Sequence, residues 1–229
     1  AYAKVNLFLE VLYKRTDGYH AIDSIFHTIS LHDVVTIEER NDEKIVIESD
    51  IAGITDCPEK NSAFKAAMLC KNTFSILPGF TIYLKKDIPI GGGLGGSSAD
   101  AAGVFRAITS LYKKEIDQEF LKETAKVGAD VPFLILQGCA LVGGIGEEIT
   151  PLPYVFDMPM VVAFPGFGVD TKWAYSALTF LLTEHKIPSN MLLRSLEKGD
   201  NGDICAGLYN RFEHVVFDKH PQIRVLKER

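Results

Sequence analysis

Cysteine is scarce in this chain of 229 residues, with 4 at positions 57, 70, 139 and 205. No two of them form a CxxC pair and none stands at metal-ligand spacing, so a disulfide framework and a zinc site are excluded and reduced, cytosolic thiols are predicted. An HExxH pattern is missing too, and His27, His32, His185, His214 and His220 are assigned no role. No apolar run approaches the ~20 residues that a spanning helix needs, and no signal-peptide pattern opens the chain. A soluble, cytoplasmic protein without a membrane partner is expected. Positive charge is in deficit: 24 lysines and arginines against 30 aspartates and glutamates give −6, which argues against a general nucleic-acid binder. The chain opens on Ala1 rather than Met and stops on Lys227-Glu228-Arg229. Further segments are expected at both ends, the C-terminal one mattering most.

Against these absences stands Pro89-Ile90-Gly91-Gly92-Gly93-Leu94-Gly95-Gly96-Ser97-Ser98-Ala99-Asp100. Phe80, Ile82, Leu84 and Ile88 before it suit a strand. Ala101, Val104, Phe105, Ile108 and Leu111 after it recur at helical spacing. Glycines let a backbone turn tightly and approach a ligand, and the free amides of a helix's first turn favour an anion such as phosphate. No Gly-Lys-Ser/Thr follows, so this is not a Walker A loop, and no βαβ unit with a distal acid makes it a dinucleotide fingerprint. Either it is a connection without a ligand or it binds phosphate; five glycines and two serines exceed what a turn needs.

With 47% hydrophobic residues the chain can build a real core, as one large domain or two small ones. Val5, Leu7, Leu9 and Val11 alternate with Asn6, Phe8 and Glu10, a strand with one apolar face. A turn at Arg15-Thr16-Asp17-Gly18 follows, then strands over 24–31, 34–40 and 44–49. Asn61 begins a helix carrying Phe64, Ala67, Met68 and Leu69 inward. Strand 80–85 leads into the glycine loop, and helices follow over 98–112 and, from Asp117, near 117–127. Val131-Pro132-Phe133 opens a short element, and Cys139 to Val142 reads as a strand. Met160 to Phe164 reads as a buried strand ended by Pro165-Gly166, with helices over 171–182, 189–197 and 207–217. Prolines at 151, 153 and 159 suggest a boundary near 151–158, giving an α+β protein in two lobes, 1–150 and 151–229, the second incomplete.

Several groups offer chemistry. Asp130, in Gly128-Ala129-Asp130-Val131-Pro132-Phe133, either caps a short helix or serves as a general base beside a lysine that holds its charge. Lys4 interrupts an apolar opening; it is an exposed edge charge or that lysine. Asn6 shares its face by the two-residue strand period. Tyr19 and His20 on a loop are merely exposed, or they stack on and hydrogen-bond a flat ring. Tyr175 and Trp173 supply an opposing ring or pack in the core. Lys85 and Lys86 are solvated or reach a nucleotide.

Together, Ala3 to Leu7, Asp17 to His20, Pro89 to Ser98 and Gly128 to Phe133 resemble the GHMP kinase superfamily over nearly the whole chain. Leu31-His32-Asp33, Asn61 with Lys65-Ala66, Lys86, Gly144 to Glu147, and Asn210 with Phe212-Glu213 add to the likeness. The resemblance implies a two-lobed α+β fold with the phosphate loop at a helix N-terminus and the active site between the lobes. It implies transfer of the γ-phosphate of ATP, with Mg²⁺, to the 2-hydroxyl of a cytidine-diphosphate sugar alcohol in isoprenoid precursor synthesis, by a monomer or weak homodimer. Lys4 and Asp130 match the catalytic pair, Asp130 accepting the hydroxyl proton or orienting the hydroxyl. Asn6 lies near the reacting group, Tyr19 and His20 match the cytosine-recognising pair, and Tyr175 falls at the opposing ring. Gly91, Gly92, Gly93, Leu94, Gly95, Gly96, Ser97 and Ser98 match the phosphate cradle, with Pro89, Lys86 and Asn61 near the nucleotide. No side chain is assigned to a metal. Ser97 stands where the family carries a third glycine, and would narrow the cradle if that position needs positive φ. Rival readings are a kinase of homoserine, mevalonate or a sugar, and a nucleotide-binding protein impaired in catalysis.

Overall fold

The computed structural model describes residues 1–54, 56–153, 159–178 and 189–228. In chain order it contains β1 (Tyr2–Lys14), β2 (His20–His32), β3 (Val34–Arg40), β4 (Ile45–Ser49), a 3-10 turn at Pro58–Lys60, α1 (Ser62–Phe74) and β5 (Gly79–Lys85). Next come α2 (Gly96–Leu111), α3 (Gln118–Thr124), α4 (Val131–Leu136), β6 (Cys139–Gly143) and β7 (Glu148–Leu152). The last elements are α5 (Thr171–Leu178), α6 (Asn190–Lys198), α7 (Asn201–Gly207), β8 (Tyr209–Asn210), α8 (Glu213–Lys219) and α9 (Pro221–Lys227). The protein is α+β, as expected. Two sheets form, one in the order β7-β6-β2-β1-β8 and the other β3-β5-β4.

Residue contacts divide the chain into two units. One gathers Ala1–Lys4, Thr28–Ile90 and Leu94–Gln137, and the other Val5–His27, Gly91–Gly93 and Gly138–Arg229. These units interleave because β1 and β2 each run from one into the other. Of the expected boundary segment 151–158, residues 154–158 lie outside the described ones.

In the first unit β3 pairs antiparallel with β5 from Val34↔Lys85 to Arg40↔Gly79. β4 pairs parallel with β5, Ile47 opposite Ile82, with α1 in the connection between them, as a parallel pair requires a long crossover. Gly79 cannot be replaced, since a Cβ there would lie 2.0 Å from the Lys44 carbonyl oxygen. Helix α1 starts where expected, with Asn61 accepting from the Ala63 amide at 2.8 Å. Its inner face is smaller than expected: Ala63, Ala66, Ala67 and Cys70 are buried while Met68 is exposed. Small residues let α1 and α2 approach closely, leaving a long Met side chain no room inside. Leu111, expected on the inner face of α2, is also exposed at that helix's end. Asp117 begins α3 as its N-cap, accepting from Phe120 N at 2.7 Å.

The second unit has β2 antiparallel to β6, Ser24 opposite Val142, and β1 parallel to β8, Phe8 opposite Tyr209. Leu7, Phe8, Ile25, Cys139, Leu192, Leu196 and Ile204 form its core. Alternation along β1 predicted one apolar face, yet Phe8 and Glu10 are buried as well. The charge of Glu10 is answered from the far end of the chain: Arg211 donates to both carboxylate oxygens, at 2.7 and 3.1 Å. Met160 to Phe164 is not a strand: no described residue pairs with it, and Val161 is 98% exposed. Five apolar residues suit a strand, but a strand also needs a partner edge. The helix expected over 207–217 is β8 followed by α8, and of 171–182 the part beyond Leu178 lies outside the described residues. The helix expected over 189–197 is α6.

Arg211→Met strands the buried Glu10 carboxylate without this partner. Removing one member of a buried pair costs about 3–5 kcal/mol, so the urea midpoint of the variant should fall clearly. An unchanged midpoint would mean that the pair does not hold the second unit together.

Candidate functional site

Three glycines of the loop take the left-handed backbone that other residues avoid: Gly91 at φ +72°, Gly93 at +73° and Gly95 at +74°. Gly95 is the residue at which α2 begins, and no side chain caps that helix start. Helix starts whose first-turn amides lack a side-chain cap suit an anion. Ser97 lies inside the first turn of α2, away from positive φ. Its side chain meets no backbone strain, so the missing third glycine does not distort the loop.

Lys4 is built into the same unit at three points. Its amide donates to the Leu94 carbonyl at 3.0 Å. Its stem lies where a Cβ on Gly95 would come within 3.3 Å of Cγ. Its ammonium reaches Asp130 Oδ2 at 3.4 Å, with the two side chains 8% and 29% exposed. Asp130 stands at the N-cap position of α4, but its side chain makes no capping hydrogen bond. Helix capping was one of two readings of that residue, and here the carboxylate faces Lys4 instead. A buried ammonium beside a half-open carboxylate can hold and move a proton at a bound hydroxyl.

Lys86 is placed differently from a phosphate-contacting lysine. Its ammonium is buried between the carboxylates of Asp33 and Asp100, the latter at 2.5 Å. A Cβ on Gly96 would stand 3.8 Å from that ammonium. Burial, and secondarily the charge of Asp33, push the Asp100 carboxyl up to about 6 in spite of Lys86. The sequence offered Lys86 as solvated or reaching a nucleotide and Asp33 as part of a short motif, but not their grouping with Asp100. Asn61 is occupied as the cap of α1. The thiols are all free, with Cys70 and Cys139 buried.

In the second unit, His20 stacks on Tyr175 with ring centroids 5.1 Å apart and planes at 17°. Phe212 meets the edge of Tyr175 at 4.8 Å. His20 Nε2 is buried without a hydrogen-bond partner among the described residues. Burial, aided by the charge of Lys14, pulls the imidazole below its ordinary value. Tyr19 stays 61% exposed and joins no ring pair among the described residues. Trp173 packs under Lys219, whose ammonium lies 3.6 Å from its ring centroid. Asn6, two residues beyond Lys4 on β1, donates to Ser24 Oγ at 3.0 Å. Pro89 and Gly92 belong to the loop that leads into α2. Among the described residues no three His, Cys, Asp or Glu side chains are placed to hold a metal, and no helix is long and apolar enough to cross a membrane.

Residues 61–138, which hold the glycine loop and Asp130, match the family description "GHMP kinases N terminal domain". The chain is 37% identical over its whole length to 4-diphosphocytidyl-2-C-methyl-D-erythritol kinase of Caldicellulosiruptor saccharolyticus, covering 79% of that protein. It is 38% identical to the enzyme of the same name from Macrococcus caseolyticus, over 99% of this chain and 80% of that one. A crystal structure of 4-(cytidine 5'-diphospho)-2C-methyl-D-erythritol kinase superposes with a TM-score of 0.76 at 31% identity, covering 99% of this chain and 79% of the other. A mevalonate kinase from L. major, with a TM-score of 0.62 at 18% identity over 90% of this chain and 71% of its own, shares the fold alone. The chain belongs to the 4-diphosphocytidyl-2-C-methyl-D-erythritol kinase family.

Alanine at Gly93 meets strain alone, whereas alanine at Gly95 meets strain and the Lys4 stem. A Cβ on Gly95 would press on the Lys4 stem at 3.3 Å, and misplacing a group that positions the reactants lowers turnover. Gly95→Ala should therefore lower kcat far more than Gly93→Ala in a steady-state ATPase-coupled assay. Equal losses would remove Lys4 positioning as the reason for glycine at 95.

Proposed function

We propose that this chain transfers the γ-phosphate of ATP to the 2-hydroxyl of 4-diphosphocytidyl-2-C-methyl-D-erythritol. The observation that carries the reading is the Lys4–Asp130 pair at 3.4 Å, its carboxylate unused as a helix cap. Asp130 takes the hydroxyl proton as the oxygen attacks the γ-phosphorus and the bond to the β-phosphate oxygen breaks, releasing ADP. The Lys4 ammonium steadies the negative charge that develops on the attacking oxygen. The first-turn amides of α2, with the Gly91 to Ser98 loop, receive the nucleotide phosphates. Phosphoryl transfer asks mainly for positioning and charge neutralisation, which such groups provide without covalent chemistry. Mg²⁺ carried in on the nucleotide neutralises phosphate charge, with no protein ligand assigned to it.

His20 and Tyr175 recognise the cytosine, Tyr175 offering a ring face and neutral imidazole one donor and one acceptor. Tyr19 and Asn6 complete acceptor binding, and Asn61 and Pro89 border the nucleotide. In chain order the N-terminal half of the kinase falls over 1–150 and the C-terminal half over 151–229. A stacking pair favours an acceptor that carries a base over homoserine, mevalonate or a simple sugar.

ATP consumption with the cytidylyl acceptor, beside homoserine, mevalonate and galactose, tests this directly. Turnover is expected with the cytidylyl compound alone; turnover with another alcohol instead would overturn the acceptor assignment. Asp130→Asn should lower kcat by about 10²–10⁴-fold, with nucleotide KM little changed. Because the imidazole of His20 is held below its ordinary value, it is neutral through the physiological range. The acceptor KM should stay level from pH 8 to pH 7 and rise only as pH falls through that lowered value. Tyr175→Leu should raise the acceptor KM at every pH.

A further inference from the structure

Two buried carboxylates share one ammonium at the base of the phosphate loop. Lys86 Nζ pairs with Asp33 Oδ2 and, at 2.5 Å, with Asp100 Oδ2, and all three side chains are at least nine-tenths buried. Asp33 is otherwise fully engaged: its Oδ1 accepts from the amides of Asp87 at 2.7 Å and Ile88 at 2.8 Å. Those amides lie in the segment that enters the loop at Pro89. Asp100 sits in the opening turns of α2, and its Oδ1 is buried with no hydrogen-bond partner among the described residues. The other charges nearby are the Ala1 amine, which donates to the Asp33 carbonyl, and Arg106 beside it. Neither makes an ion pair with Asp100 among the described residues. Among the three ion-paired side chains negative charge exceeds positive by one in a dry site, where unpaired charge is costly. The Ala1 amine, whose charge acts on both carboxylates without pairing with them among the described residues, offsets this in part.

Resting on the reading of this loop as the seat of the nucleotide phosphates, we infer that Asp33, Lys86 and Asp100 are positioning residues whose excess charge is cancelled by a proton, and that nucleotide binding draws this proton onto Asp100. A polyphosphate on the α2 amides adds negative charge close to Gly96, and Gly96 abuts the Lys86 ammonium. A like charge favours the protonated acid. The orphaned Oδ1 is the oxygen able to take the proton, because Oδ2 is held by Lys86. Three donors already point at the Asp33 oxygens, which leaves Asp100 as the carboxyl with an open oxygen. The direct reach of Lys86 to the nucleotide gives way to an indirect one: it ties the strand before the loop to the helix after it. The position of Asp100 at about 6 agrees with a proton that is easily gained near neutrality.

Linkage fixes the sign of the effect. If binding raises proton affinity at Asp100, nucleotide affinity weakens as pH rises, by roughly threefold to tenfold between pH 6 and pH 8 for a shift of up to about one pH unit. The test is calorimetric titration of the full chain with ADP at saturating Mg²⁺, in two buffers of different ionisation enthalpy. The wild-type protein should take up a fraction of a proton near pH 6.5. Asp100→Asn, close in shape, should take up almost none, and its ADP affinity should be level with pH. The titration of the nucleotide's own phosphates is common to both proteins and cancels in the comparison. Equal proton uptake by the two proteins would overturn the inference. So would zero uptake by the wild-type chain alone, which needs no variant to fold. If the wild-type chain does not bind ADP at all, the phosphate-loop reading fails and this inference falls with it. A merely structural role for Asp100 would change stability without moving the proton count.

Discussion

An ammonium set within a buried strand is the constraint from which the candidate site is organised. Lys4 lies on β1 between Ala3, fully buried, and Val5, half-buried, where an unanswered charge is not tolerated. Asp130, at the N-cap position of α4, answers it. The Lys4 amide binds Leu94 and its stem leaves no comfortable room for a side chain on Gly95. The loop conformation and the lysine position are thus mutually required. Altering one residue of this set displaces the others.

The loop itself has two kinds of support. Its left-handed glycines give the bends, a local property of the chain. Its ends are held by non-local ties, Asp33 gripping the amides of Asp87 and Ile88 on one side and Lys86 binding Asp100 on the other. A flexible glycine run alone would lose conformational entropy on meeting a phosphate. Anchored ends reduce that loss, so the amides are already near their binding positions.

What could be read from the sequence was what depends on neighbours along the chain. The caps Asn61 and Asp117 and the strand–loop–helix around Gly91 to Ser98 follow from spacing and residue type, whereas spacing left Lys4 and Asp130 each with two readings and the family resemblance alone matched them as a pair. Partners far apart in sequence were not legible. Glu10 and Arg211 are separated by 201 positions, and nothing in either neighbourhood names the other. The same holds for Asp33 with Lys86 and Asp100, where a lysine in a strand-end cluster reads as solvated. Met160 to Phe164 misled for the opposite reason: composition specifies a strand's side chains but not whether an edge is available to it. The direct stack of His20 on Tyr175 was not legible either: the sequence offered Tyr175 as a ring opposing Tyr19 and His20, and the contact depends on how α5 lies against the start of β2.

The free thiols carry a practical consequence. Cys57 and Cys205 are exposed, and they fall in different units of the chain. Cys70 and Cys139 are buried, and burial pushes their thiols up to about 12 and about 11, far from the reactive thiolate form. Maleimide dyes or spin labels therefore attach at one point per unit without any engineered residue. Energy transfer or dipolar spectroscopy between those points can follow the separation of the two units as nucleotide and acceptor are added, on an otherwise natural chain.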